Sequence, residues 1–165
     1  MRLHAGFWLA TLGLGAYWAL AVLGRDTTVA LLLAGAALSL MFTAAPRRKW
    51  VLLATLSGIA MDAAWCYAGV LKFSGHGSVV PLWMMALWLT FSCWWCWLLS
   101  LVRSAGWPVA VFGAVFGPLS SLISWKLTAI TPLIAPELML LALAIGWAIY
   151  LPAVSWPLMR QFTAR

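Results

Sequence analysis

The chain consists almost entirely of apolar stretches long enough to cross a lipid bilayer as helices. A transmembrane helix needs ~20 consecutive apolar residues, and Gly, Pro and charged residues divide the sequence into six runs of roughly that length. The runs are 5–23, 27–45, 50–71, 81–102, 107–131 and 136–157. The sequence therefore predicts an all-α fold, a single transmembrane domain over residues 1–165 built as a bundle of six transmembrane helices with short loops.

Composition excludes a water-soluble domain. Hydrophobic residues make up 65% of the chain and charged residues 8%, whereas a soluble domain carries about 25% charged residues. The signatures of dinucleotide, P-loop, zinc-protease and hydrolase sites do not occur in the sequence. We therefore name no catalytic residue and expect neither a cofactor nor a metal site.

The distribution of basic residues predicts the orientation. In a six-helix arrangement, one side carries seven Lys and Arg residues and the other side carries Arg25, Lys72 and Lys126. The seven are Arg2, Arg47, Arg48, Lys49, Arg103, Arg160 and Arg165. The positive-inside rule then places both termini in the cytoplasm. The same charges suit contact with lipid headgroups, and we do not expect nucleic-acid binding.

Asp62 is the residue that most needs explaining. It lies twelve residues after Trp50 within the third run, which is ~18 Å along a helix and near the membrane midplane. An ionised carboxylate there costs ~2.5–3.5 kcal/mol on insertion scales, and most intramembrane ionisable residues are functional. Asp62 is expected to anchor a ligand, relay a proton or act as an acid; the alternative is a neutral carboxyl that only joins two helices.

The helical neighbours of Asp62 indicate a packed face. Glycines let a second backbone approach closely, so a face that carries them meets another helix rather than lipid. The residues that share this face are Thr55, Gly58, Trp65, Cys66 and Gly69. Trp65 is accordingly a candidate ligand-binding residue.

The fourth run supplies donors that suit a buried carboxyl. One stripe contains Trp83, Thr90 and Trp94, and Thr90 has the same estimated depth as Asp62. We expect these three residues to bind a ligand with Asp62; the alternative is an aromatic stripe used for packing or for the interfacial belt. Trp88 and Trp95 lie on another face of this helix, so some of its Trp side chains are expected to meet lipid.

The fifth run carries a hydroxyl stripe that includes Ser120, Ser121 and Ser124. Pro118 removes a backbone donor and is expected to kink the helix beside them. A small polar pocket and tight helix packing explain this pattern equally well. Lys126 lies about 200° around the helix from Ser124 at ~100° per residue, so we expect it to reach the interface; pairing with Asp62 is the alternative.

The three cysteines, Cys66, Cys93 and Cys96, fall inside predicted helices. Cys93 and Cys96 form a C-x-x-C pair, which in a soluble protein indicates redox or metal chemistry. No further Cys or His stands near them in the sequence, so we interpret them as apolar packing residues.

Together the segments GIAMDAAW, VLKF, PLWMMALWLTF and GPLSSLISWKLTAI resemble the bacterial inner-membrane family DUF2878, a domain of unknown function. The resemblance covers residues 57–130. The matching positions are Asp62, Pro81, Trp83, Trp88, Phe91, Gly117, Pro118, Ser120 and Lys126. It implies a multi-pass protein of the inner membrane with a connection to the fatty-acyl modification of membrane lipids.

These observations lead to one functional hypothesis and two alternatives. The hypothesis is a small intramembrane polar pocket that binds or moves an apolar, lipid-derived ligand, or serves as the membrane subunit of a lipid-modifying system. Its expected partners are membrane lipids and lipid-modifying enzymes. The alternatives are a membrane enzyme with Asp62 as general acid or base, and an oligomeric scaffold without catalysis.

Overall fold

The computed structural model of the protein describes residues 5–77, 79–102 and 106–163 and places most of them in six α-helices. The helices are α1 (Ala5–Gly24), α2 (Val29–Phe42), α3 (Ala45–Tyr67), α4 (Leu82–Val102), α5 (Trp107–Lys126) and α6 (Pro136–Thr163). Two short strands, β1 (Leu71–Phe73) and β2 (Ile130–Pro132), lie in the connections that follow α3 and α5. The predicted all-α class is confirmed.

The first two helices form a hairpin. They belong to one helical run, Ala5–Phe42, which a 3-10 turn at Arg25–Thr28 interrupts. The Tyr17 hydroxyl donates to the Leu32 carbonyl at 2.6 Å, whereas 15 residues of straight helix would separate them by ~22 Å. The run therefore folds back on itself.

Five helical segments of the described chain are long and apolar enough to cross a membrane, with Ala5–Phe42 as one of them. Helix α2 has 14 residues, which is ~21 Å and less than the ~30 Å of hydrocarbon. The predicted count of six crossings thus remains a prediction.

Helices α3 and α5 end earlier than the apolar runs that predicted them. Gly69 after α3 and Thr128 after α5 both have a left-handed backbone, with φ of 69° and 60°. In both cases the following amide reaches back five residues, from Val70 to the Trp65 carbonyl and from Ala129 to the Ser124 carbonyl. This hydrogen-bond pattern terminates a helix, and it frees the next residues for the strands.

The two strands form a small antiparallel sheet that the sequence analysis did not predict. Phe73 pairs with Ile130 and Leu71 with Pro132. The turn between α1 and α2 contacts the connection just before β2, because Arg25 Nη2 donates to the Leu127 carbonyl at 2.6 Å and to Thr128 Oγ1 at 2.9 Å. The first, third and fifth connections therefore meet at one end of the bundle, which we call the cap end.

The opposite end carries the basic first turn of α3, which includes Arg47, Arg48 and Lys49, and Arg160 in the last turn of α6. Arg2, Arg103 and Arg165, which the orientation argument also counts, lie outside the described residues. Successive connections between the helices thus lie at alternate ends, as in an up-and-down bundle.

Helix α4 is the central helix of the bundle, since it packs against α1, α2, α3 and α6. Helix α5 packs mainly against α6. Two glycines make that contact close: a Cβ on Gly113 would lie 2.5 Å from the Trp147 carbonyl oxygen, and one on Gly117 would lie 2.2 Å from the Trp147 ring. Among the described helices, α1 and α5 do not pack closely together, and a gap remains between them.

Candidate functional site

The Asp62 carboxyl accepts a hydrogen bond from Trp88 of α4. The distance from Trp88 Nε1 to Asp62 Oδ2 is 2.7 Å, and the Trp88 side chain is 4% exposed. Within the described part of the chain, the second oxygen, Oδ1, accepts no hydrogen bond. The carboxyl is thus held by one oxygen and has the other available.

Gly58 makes room for this contact. A Cβ on residue 58 would lie 2.3 Å from Cε3 of the Trp88 ring. Because residues four apart share a helix face, Gly58 admits the indole and Asp62 receives its N–H. The G-x-x-x-D spacing of α3 therefore has a direct structural reason.

Aromatic side chains of α6 fix the orientation of Trp88. The Trp147 ring stacks on it at 5.2 Å between centroids, and the Tyr150 ring meets it edge-on at 5.3 Å. The Tyr150 hydroxyl donates to the Ala54 carbonyl of α3 at 2.8 Å. A donor held in this way fixes the position of the Asp62 carboxyl in turn.

Asp62 lines a cavity of about 510 Å³ that lies between α1, α4, α5 and α6. We call this cavity the slot. Its walls are mainly apolar and aromatic, Asp62 is its one charged lining residue in the described chain, and its hydroxyls come from Thr11, Ser120, Ser121 and Ser124. Small-molecule sites have volumes of about 300–1,000 Å³ with a few polar groups on apolar walls, and the slot fits this description.

The slot opens on the side of the bundle, in the gap between α1 and α5. Three of its lining residues on α5 are also exposed on the outer surface: Phe116 at 52%, Leu119 at 45% and Ile123 at 39%. Exposed apolar side chains therefore border the opening.

Several polar atoms at the slot have hydrogen-bonding capacity to spare. Thr11 Oγ1 and Trp94 Nε1 are buried and have no partner within the described residues. Ser120 and Ser121 both donate to the Gly117 carbonyl, at 2.7 and 3.1 Å, so their oxygens can still accept. The cavity that Asp62 lines therefore offers both donors and acceptors.

Five of the nine predicted ligand-binding residues line the slot: Asp62, Trp94, Ser120, Ser121 and Ser124. The other four, Trp65, Trp83, Thr90 and Lys126, are not among its lining residues.

Each of these four has a different environment. The Trp65 ring packs against Gly146, and a Cβ on Gly146 would lie 2.7 Å from it. Trp83 is fully buried, with its ring edge-on to Phe73. Thr90 lines a second cavity. Lys126 is exposed, with its Nζ 4.6 Å from the centroid of the Trp125 ring.

Trp88 and Trp147 are the site residues that the functional reading of the sequence missed. Trp88 and Trp95 are each 4% exposed, so neither is a Trp side chain of this helix that meets lipid. Trp95 donates to Ser155 Oγ at 2.8 Å. The described residues contain no group of three His, Cys, Asp or Glu side chains suited to a metal ion.

The described part of the chain is a bundle of helices, most of them long and apolar enough to cross a membrane, with one carboxyl in a laterally open apolar cavity. A family model described as "Protein of unknown function (DUF2878)" matches residues 7–153. The chain belongs to this family. Comparison with curated proteins and with solved structures gives no match.

Proposed function

We propose that the protein binds an apolar, lipid-derived ligand in the slot and carries it, or presents it to enzymes that modify membrane lipids. One observation carries the proposal: a carboxyl with an available oxygen lines an apolar cavity whose opening is bordered by exposed apolar side chains. Burying a polar group without a partner is costly. A ligand that pairs with Asp62, Thr11 and Trp94 would remove that cost.

The charge of the slot narrows the ligand class. Within the described chain, no Lys, Arg or His lines the slot, so nothing there would compensate a phosphate or carboxylate near Asp62. Like charges at close range repel strongly where water is excluded. The geometry therefore favours a long apolar molecule with an uncharged hydroxyl, carbonyl or amide near its middle or end.

The test is mass spectrometry of small molecules that co-purify with the protein after gentle extraction. We expect one apolar species with wild type and its loss from Asp62→Asn, while Asp26→Asn, which changes an acid at the cap end, keeps it. The same species at wild-type levels in Asp62→Asn would remove Asp62 from the site.

A second pair of variants tests the slot itself. No atom of the described residues lies within 4 Å of a Cβ on Gly15, which lines the slot, and the same holds for Gly6, which does not line it. We expect Gly15→Leu to fill the slot and exclude the ligand, and Gly6→Leu to retain it. Equal retention by both variants would contradict binding in the slot.

A membrane enzyme with Asp62 as general acid or base is the second candidate. The available Oδ1 favours it, because proton transfer needs a carboxyl oxygen within reach of the substrate. In that case, wild type would convert the molecule that Asp62→Asn accumulates unchanged. A scaffold would show neither the bound molecule nor the conversion.

We further propose six crossings of the bacterial inner membrane with both termini in the cytoplasm. Two features support this: the hairpin of α1 and α2, and the basic residues at the end opposite the cap. Reporter fusions after residue 165 should report the cytoplasm, and insertions within 75–78 should report the periplasm. A periplasmic signal at residue 165 would overturn the orientation or the helix count.

A further inference from the structure

The slot is a long groove that runs beside α4. Its lining residues on this helix recur about once per turn from Met84 to Leu98, a stretch of ~21 Å. At the cap end the groove meets the small sheet, because Leu71, Phe73 and Ile130 also line it and each is at most 4% exposed. The sheet therefore forms the floor of the slot at the cap end.

Asp62 lies near that floor. Its hydrogen-bond donor, Trp88, is about one turn of α4 beyond Met84 and almost three turns short of Leu98. Along α4, the slot therefore extends ~6 Å from Trp88 toward the cap end and ~15 Å in the other direction. A ligand bound to Asp62 has room for a small group on the cap side and for a long chain on the other side.

Polar side chains of the slot cluster at the same end. Asp62 lies in the last two turns of α3, and three serines lie in the last two turns of α5. The serines are Ser120, Ser121 and Ser124. Both helices end at the cap end, so these side chains lie within ~11 Å of it along the helix axes. The cap half of the slot is thus rich in hydrogen-bonding groups.

The other half of the slot is mainly apolar. Its walls there include Phe91, Leu98, Phe112 and Leu151. Thr11 and Trp94 add one hydrogen-bonding atom each rather than a cluster. A hydrocarbon chain suits these walls, since apolar and aromatic side chains line the sites that bind apolar molecules.

The polar half of the slot is suited to a hydroxyl group. Ser120 and Ser121 donate their protons to the Gly117 carbonyl at 2.7 and 3.1 Å, so their oxygens remain as acceptors. Asp62 Oδ1 accepts no hydrogen bond within the described residues. A carbonyl only accepts, whereas a hydroxyl both donates and accepts. A hydroxyl therefore pairs with the serine oxygens, and with the Asp62 carboxyl in either protonation state.

We infer that the ligand of the slot is a neutral lipid with a free hydroxyl, bound with that hydroxyl beside Asp62 and with its hydrocarbon chain directed toward Leu98. Acylglycerols and long-chain alcohols belong to this class. The inference rests on the proposed function, since it names the chemical class and the orientation of the ligand in the same cavity.

The first experiment is native mass spectrometry of the full chain with added monopalmitoylglycerol or with its analogue in which both hydroxyls are methylated. The two compounds share the chain and the ester, and they differ in their hydrogen-bond donors. We expect wild type to retain the hydroxyl compound roughly 10-fold better, because the ether leaves the acceptors of the slot unpaired. Asp62→Leu should lose most of this preference. Equal retention of the two compounds by wild type would overturn the assigned class.

Photo-crosslinking of wild type tests the orientation without any variant. One monopalmitoylglycerol probe carries a diazirine at the end of the acyl chain, and a second probe carries it beside the ester. We expect the first probe to label the segments around Leu98 and Phe112, and the second probe to label residues 120–130. The reverse pattern, or the same pattern with both probes, would overturn the orientation.

Leu98 is expected to limit the length of the chain. Leu98→Ala removes part of the wall at the far end of the slot, whereas Leu101→Ala removes the same atoms from a side chain that is 52% exposed and does not line the slot. We expect Leu98→Ala to raise the retention of monoarachidoylglycerol relative to monopalmitoylglycerol several-fold, and Leu101→Ala to keep the wild-type ratio. The same ratio in both variants would contradict a chain that ends at Leu98.

Failure of this inference and failure of the proposed function give different results. If wild type binds neither monopalmitoylglycerol nor its ether, but co-purifies with an apolar molecule that Asp62→Asn loses, the proposed function stands and the inference is wrong. If no apolar molecule co-purifies and neither compound binds, both are wrong.

Discussion

Gly58 and Trp88 fit against each other so closely that a single added carbon would overlap: a Cβ on residue 58 would lie 2.3 Å from Trp88 Cε3. Trp88 has little room to move, because Trp147 and Tyr150 pack against it. We therefore expect Gly58→Ala to destabilise the protein by ~1–3 kcal/mol, as overpacking does in other cores. Unfolding by SDS in mixed micelles measures the change.

Gly6→Ala is the matched control for Gly58→Ala, since nothing lies within 4 Å of a Cβ on Gly6. Both variants make the same chemical change in a helix. A Gly58→Ala protein as stable as the Gly6→Ala protein would show that α3 and α4 are not packed as described.

The hydrogen bond from Trp88 to Asp62 predicts a coupling energy between the two residues. Intramembrane side-chain hydrogen bonds contribute ~0.6 kcal/mol on average and up to ~1.7 kcal/mol. A double-mutant cycle of Asp62→Leu and Trp88→Phe, read from SDS unfolding, should give a value in that range. The cycle of Asp62→Leu with Trp125→Phe, whose ring contacts Lys126 instead, should be additive.

Ser155 and Trp95 form a second buried hydrogen-bonded pair of side chains. Ser155 is fully buried and accepts from Trp95 Nε1 at 2.8 Å. Ser155→Ala leaves that N–H buried and unpaired, which costs ~1–3 kcal/mol. Ser57→Ala, which removes a hydroxyl bonded to the Leu53 carbonyl of its own helix, should cost much less; equal thermal stability of the two variants would count against the pair.

Arg25 is expected to stabilise the cap end locally. Its guanidinium bonds to the Leu127 carbonyl and the Thr128 hydroxyl, and each such bond contributes a net ~0.5–1.5 kcal/mol. Arg25→Gln should therefore raise amide hydrogen exchange across 127–132 by roughly 2- to 10-fold. Lys72→Gln, an exposed basic residue of β1, is the control and should leave that exchange unchanged.

The sequence was sufficient to identify the all-α class, the family and the position of Asp62 on a packed helix face. It was not sufficient to identify the donor to Asp62. Apolar periodicity reveals which face of a helix is buried when its two faces meet different surroundings. Helix α4 contacts four other helices, so its stripe of Trp83, Thr90 and Trp94 was no more buried than the face with Trp88.

The ends of α3 and α5 show a similar limit. Gly69 is a common helix-terminating residue, but the apolar run predicted it inside α3 on the face of Asp62. Thr128 in the left-handed conformation gave no signal, because Thr rarely adopts it. The pairing of β1 with β2 joins three-residue segments far apart in the chain. Segments that short carry no periodicity from which a strand is predicted.

The same pairing fixes an order of events during synthesis. Phe73 cannot pair with Ile130 until Ile130 has been synthesised. At ~5–20 residues per second, that takes several seconds more. Until α6 has been synthesised, Trp147 is absent and the grooves at Gly113 and Gly117 stay unfilled. Helix α5 is therefore made before its main packing partner. A chain stalled after Lys126 would thus display an unfilled glycine face and an unpaired β1.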